Sequence, residues 1–118
     1  MSTVTSRSGS RLPDALSVLD QVDIDVLPWR PVPGSDGVRY KELWRRPDRV
    51  CALIAYEPGA ATPGLPHPVA EHHIWVTQGL ALLGGRRLSV GSYVRVPAST
   101  AHRIIAGQPG CTLLQVHQ

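Results

Sequence analysis

From Trp29 onward the chain alternates apolar and polar residues in short runs, and each run stops at a glycine or proline. Alternation with a period of two puts successive side chains on opposite faces of a strand. It predicts strands over 38–44, 72–77, 80–83, 87–90, 93–96, 103–106 and 112–116. The run at 50–56, VCALIAY, is apolar almost throughout and reads as a strand buried on both faces. Turn clusters separate these runs: PVPGSDG at 31–37, RPDR at 46–49, a proline-rich loop over 57–68, a Gly84–Gly85 hairpin and GQPG at 107–110. Within 72–77, alternation points His72, Ile74 and Val76 inward and His73 and Trp75 outward. Ile74, Val76, Val94 and Ile104 are the expected inner wall.

The first part of the chain has a different pattern. Residues 1–11 are rich in Ser, Thr and Arg and read as a disordered arm. Residues 12–27 mix a short apolar pattern with Asp20, Asp23 and Asp25, the solvated faces of a short helix and a strand. No calcium-loop spacing surrounds those carboxylates.

Strands at this spacing, parted by Gly/Pro turns, predict an all-β sandwich or jelly roll. Composition agrees: 11 Gly and 11 Pro in 118 residues would interrupt helices of ordinary length. One domain is expected at this length, and 42% hydrophobic against 18% charged residues marks it as folded. The net charge of +3 comes from arginines scattered along the chain, paired only at 45–46 and 86–87. That is a solvated surface and not a nucleic-acid face. Cys51 and Cys111 sit in apolar runs and read as buried thiols. Residues 1–10 lack an apolar leader core and no run reaches membrane-spanning length, so a cytoplasmic location without membrane association is expected.

The chemistry lies in two stretches, 58–79 (PGAATPGLPHPVAEHHIWVTQG) and 91–102 (GSYVRVPASTAH), which hold His67, His72, His73 and His102. Neutral imidazoles gathered on neighbouring strands suit a transition metal. In the second stretch Gly91, Pro97 and His102 stand at the spacing of the motif G-x5-P-x-G-x2-H-x3-N, with Ser99 at its second glycine and Ala106 at its asparagine. In the first, Gly59, His67 and Gly79 match G-x5-H-x-H-x3,4-E-x6-G. Leu65 stands at that motif's first histidine and His72 at its glutamate. In these features the chain resembles the cupin superfamily. Trp29-Arg-Pro, the Pro58–Ala60 tripeptide, His67–Pro68 and the Gly110-Cys-Thr-Leu run further resemble ChrR-like cupins. That subgroup includes the cupin domain of zinc-dependent anti-sigma factors, and an acetylacetone-cleaving dioxygenase is similar to it.

The resemblance covers about residues 28–116. It implies a double-stranded β-helix, the cupin jelly-roll barrel, over 28–118, preceded by a partly disordered arm over 1–27. It also implies one divalent transition metal, Fe, Zn, Mn or Ni, in the barrel mouth. Residues 1–27 hold neither His nor Cys, so the zinc-containing amino-terminal part of ChrR-type proteins has no counterpart there.

Leu65 has no donor atom. Counting back from Gly79 puts His72 in the carboxylate's slot and gives a set of His67, His72 and His102. Counting forward from His67 reaches Glu71 instead, giving two imidazoles and a carboxylate at the cost of the six-residue spacing to Gly79. Glu71 and His73 therefore stand second to His72 as ligands, while His117 reads as a surface or satisfied core residue. Three neutral imidazoles would leave an ion its full charge and open positions for an oxygenated or anionic substrate. The expected function is a metal-dependent enzyme, dioxygenase- or lyase-like, acting on a small molecule. A metal- or ligand-sensing regulatory module and a metal-free ligand-binding cupin are the alternatives. A homodimer is expected, with sheet edges or the arm covered by a second copy.

Overall fold

The computed structural model describes residues 16–64 and 70–118. In chain order the elements are helix α1 (Gln21–Val26) and strands β1 (Arg30–Pro31), β2 (Val38–Arg46), β3 (Arg49–Tyr56), β4 (His72–Leu83), β5 (Arg86–Ser89), β6 (Tyr93–Val96) and β7 (Ile104–His117). All pairings are antiparallel. The hydrogen-bonded path runs β1-β2-β3-β7-β4-β5, with β6 also on β4. One buried cluster draws Val38 from β2, Tyr56 from β3, Ile74 and Val76 from β4, Leu88 from β5, Val96 from β6 and Leu113 from β7. A single sheet that shares one core along its whole path must curl around it. This is an all-β jelly roll, as expected, but among the described residues the path does not return from β5 or β6 to β1, so the barrel is open.

The strand positions follow the alternation closely, with two corrections. The expected strands 72–77 and 80–83 are one strand, β4, and 103–106 and 112–116 are one strand, β7. The glycines between them bend the strands and do not end them. Gly79 and Gly110 both have left-handed φ, +74° and +75°, at a register irregularity where β4 crosses β7. A Cβ on Gly79 would run into the Gly110 carbonyl and the Cys111 Cα, and one on Gly110 would lie 2.6 Å from the Tyr56 carbonyl oxygen. Backbone therefore touches backbone across β3, β7 and β4, which only glycine permits. Gly84 and Gly85, with φ of +56° and +78°, make the expected two-residue hairpin between β4 and β5.

Upstream of the sheet, the described residues 16–27 contain the helix but no strand. Asp20 and Asp23 form a capping box: Asp23 N–H donates to the Asp20 carboxylate at 2.9 Å, and Asp20 N–H donates to the Asp23 carboxylate at 3.0 Å. That use explains two of the three carboxylates without a cation. The helix is tied to the sheet by Lys41, whose side chain is buried. Its Nζ donates to the Ile24 carbonyl at 2.9 Å and lies 4.7 Å from the centre of the Trp29 ring. An ammonium at the helix's last carbonyls meets the negative end of the backbone dipole. Among the described residues no helix is long and apolar enough to cross a membrane.

Candidate metal centre

Strand β4 brings His72 to one end of the curled sheet. There it stands opposite Val96 of β6 on one side and opposite His117 of β7 on the other. Cross-strand partners share a face, so His72 and His117 both point inward, in phase with the buried Ile74, Val76 and Leu113. Ile104 is buried in the same core and Val94 packs against it, as the inner-wall expectation requires.

His102 arrives by a turn. Strand β6 stops before Pro97, Thr100 N–H donates to the Pro97 carbonyl at 3.3 Å, and Ser99 takes φ +63°. That left-handed backbone is where the related motif has glycine, so the conformation persists under a different residue. Beyond the turn, Thr62 N–H donates to the Ile104 carbonyl at 3.2 Å and fixes the start of β7. Gly64 lies against the same segment: a Cβ there would be 2.9 Å from the His102 carbonyl oxygen.

The result is a pair of imidazoles whose nitrogens face each other, His72 Nδ1 and His102 Nε2 at 3.4 Å, with rings nearly perpendicular. The other ring nitrogen of His102, Nδ1, lies 3.4 Å from the Thr100 carbonyl. A carbonyl only accepts, so Nδ1 carries the proton and Nε2 presents its lone pair toward His72. The His117 ring is 4.7 Å from that of His72. Nitrogens each about 2.1 Å from one ion at tetrahedral angles stand about 3.4 Å apart, so this pair has the spacing of two adjacent ligands. The same spacing admits a hydrogen bond in which His72 Nδ1–H donates to His102. Among the described residues no group of three or more His, Cys, Asp or Glu is arranged to hold a metal. His67 and Leu65 lie outside the described residues.

Glu71 and His73 go to the opposite face. Arg95 Nε donates to Glu71 Oε1 at 2.5 Å, and that hydrogen bond holds the Glu71 carboxyl below the usual carboxylate range. His73 Nε2 is 3.4 Å from the other Glu71 oxygen, and His73 Nδ1 is 2.5 Å from the Tyr93 hydroxyl. Trp75 packs against Tyr93 beside them. Period-two geometry accounts for the split: 71, 73 and 75 share the outer face, and 72, 74 and 76 the inner. The structure thus brings His72 and His102 together and does not bring Glu71 or His73 to them.

His117 is the residue that the sequence reading passed over. The last strand was expected to end at 116, but one more step in phase with Leu113 carries position 117 to the inner face. The two cysteines are free and buried. Burial pushes the Cys51 thiol up and that of Cys111 up to about 11, so both behave as small apolar side chains.

A family model described as a ChrR Cupin-like domain matches residues 19–118. Among solved structures, KdgF from Halomonas sp. is 26% identical, with a TM-score of 0.67 over 76% of this chain and 84% of that one. The polyketide cyclase RemF from Streptomyces resistomycificus is 24% identical, with a TM-score of 0.72 over 85% and 79%. Anti-sigma ChrR, in its complex with SigE from Rhodobacter sphaeroides, is 23% identical, with a TM-score of 0.68; the match spans 80% of this chain and 50% of that one. No curated protein matches the chain.

Proposed function

We propose that this chain, which belongs to the ChrR cupin-like family, is a metal-dependent enzyme, dioxygenase- or lyase-like, acting on a small oxygenated or anionic molecule. The observation that carries this reading is the 3.4 Å approach of His72 Nδ1 and His102 Nε2, with the far nitrogen of His102 turned to a carbonyl. His72 and His102 would hold one divalent ion, Fe, Zn, Mn or Ni. The sequence assigns a third imidazole to His67, which lies outside the described residues. When bound, such an ion supplies Lewis-acid polarisation of an oxygen ligand. The chain's own part is to hold His102 in one tautomer through Thr100. His117 lies beside His72, its ring centre 4.7 Å away.

The test is elemental mass spectrometry on untagged protein, with His72→Ala, His102→Ala and Glu71→Gln beside it. Near-stoichiometric metal that is lost in both histidine variants and kept in Glu71→Gln is the expected result. Metal retained by His102→Ala would overturn the site. No metal after reconstitution would leave the metal-free ligand-binding reading, with Leu65 as its cause.

A second reading, a metal- or ligand-sensing regulatory module, draws support from the family description and the likeness to ChrR. It requires a protein partner whose capture changes with metal, which a pull-down with and without chelator measures. We also propose a homodimer, because Trp75 and Tyr93 on the outer face are 37% and 47% exposed and Val22 and Val26 on α1 are 70% and 75% exposed. A monomeric mass in sedimentation at micromolar concentration would exclude it. Two free cysteines accord with a reducing, cytoplasmic setting; recovery of the protein from a secreted fraction would contradict that.

A further inference from the structure

The tip of the β2–β3 hairpin carries a charge conflict. Arg46 and Arg49 are direct cross-strand partners. Like charges in that relation destabilise a hairpin, and neighbouring groups relieve this one poorly. Arg45 is held by Glu42 through two hydrogen bonds, at 2.7 and 3.0 Å. Asp48 reaches Arg49 only at 3.9 Å. Arg46 has no acidic partner among the described residues.

These arginines line a cavity of about 400 Å³ together with Asp48, Pro47, Val50, Ala70, His117 and Gln118, so three guanidinium groups face one side-chain carboxylate there. His117 is the residue whose ring lies 4.7 Å from that of His72. Val50 is its cross-strand partner on β3. The cavity therefore runs from the arginine tip, over a short apolar wall, to His117, whose ring lies against that of His72.

We propose that this cavity binds a small organic oxyanion, a carboxylate or a phosphate ester, with the anionic group between Arg46 and Arg49 and the remainder directed along Val50 and Ala70 to His117. Guanidinium forks match both kinds of oxyanion. The volume is at the small end of the range for ligand pockets and suits a molecule of metabolite size. The apolar wall adds contact for an organic body beyond the oxyanion itself. The inference deepens the proposed function, since it assigns the substrate's anionic end, but the cavity itself requires no metal.

The test uses metal-free, chelator-treated protein, so that it fails or succeeds apart from the metal centre. Malonate and inorganic phosphate are titrated while backbone amide NMR shifts are followed. Arg46→Gln and Arg49→Gln are compared with Arg87→Gln, which removes the same charge from an exposed strand position outside the cavity. Saturable shifts are expected at 46–50 and 117–118, with apparent affinity falling about tenfold in either hairpin variant and less than twofold in Arg87→Gln. Malonate acting alone would select carboxylates, and phosphate acting alone or more tightly would select phosphate esters. Equal losses in all three variants would mean that net charge alone attracts the anions and would overturn the proposal. So would an absence of saturable shifts at the hairpin and His117. Metal content unchanged in Arg46→Gln but lost in His102→Ala would keep this inference distinct from the metal reading.

Discussion

Substituting Gly79 by alanine separates two costs that usually come together, backbone strain and the loss of space. Gly59 is the control. Its φ of +76° nearly equals the +74° of Gly79, but nothing described lies within 4 Å of a Cβ added there. Alanine at either position takes on a left-handed backbone, costing about 1–2 kcal/mol. A restricted unfolded chain returns about 0.4–1 kcal/mol of that. Gly59→Ala should therefore lose about 1 kcal/mol. At Gly79 the new methyl also meets the Gly110 carbonyl and the Cys111 Cα, backbone atoms of a strand paired on both edges. Overpacking adds about 1–3 kcal/mol, and each ladder hydrogen bond given up to make room adds about 1 kcal/mol. Gly79→Ala should thus lose about 3–5 kcal/mol, a large share of the roughly 5–15 kcal/mol available to a domain. Urea unfolding followed by tryptophan fluorescence measures both variants, with unchanged slopes showing that only stability moved. If the two lost the same within about 0.5 kcal/mol, the close crossing of β4 and β7 would have no energetic weight and the argument would fail.

Two further outcomes are expected. Burial raises the Tyr56 hydroxyl from 10 to about 12 and the Cys111 thiol from 9 to about 11. Both are acids whose folded pKa exceeds the unfolded one. The stability they contribute is complete below pH 9 and is lost as pH rises from 9 to 12, by up to about 1.4 kcal/mol per pH unit for each group. Urea midpoints at pH 8 and 11 should show the fall, and Tyr56→Phe should flatten it; a wild-type midpoint that holds steady to pH 11 refutes the assignment. Separately, Lys41→Ala removes the hydrogen bond to the Ile24 carbonyl and the contact with Trp29, worth about 2–4 kcal/mol locally. Amides of 21–27 should then exchange with solvent faster while those of β3 and β7 keep their protection. Unchanged exchange in the helix would show that the lysine does not hold it.

The β-strand plan was legible because period-two alternation is a local signal, and so were the inward His72 and outward His73. The joins were not. Gly79 and GQPG carry the same local chemistry whether the chain turns or merely bends, and only the partner strand, pressing its backbone against Gly79, decides. Lys41 was invisible for a related reason: a lysine in an alternating strand reads as solvated until a helix carbonyl and a tryptophan ring cover it. The Glu71 alternative arose from counting forward from His67, and alternation alone could have set it aside. His117 needed the register of β7 against β4, a non-local fact. RPDR at 46–49 carries the local chemistry of an ordinary turn, and the sequence does not show that a cavity runs from it to His117.

The glycine crossing also works as a pivot. His72 lies seven residues along β4 from Gly79, about 23 Å of strand at 3.3 Å per residue. On a lever of that length, a change of 5° in the crossing angle would swing the histidine end by about 2 Å, more than half the separation of the two facing nitrogens. Pairing to β6 and β7 resists such a swing, yet the leverage remains. The spacing of the two imidazoles is therefore set in part from a place that carries no side chain at all, and on the proposed metal reading substitutions around Gly79, Gly110 and Tyr56 would shift the metal preference without any histidine changing.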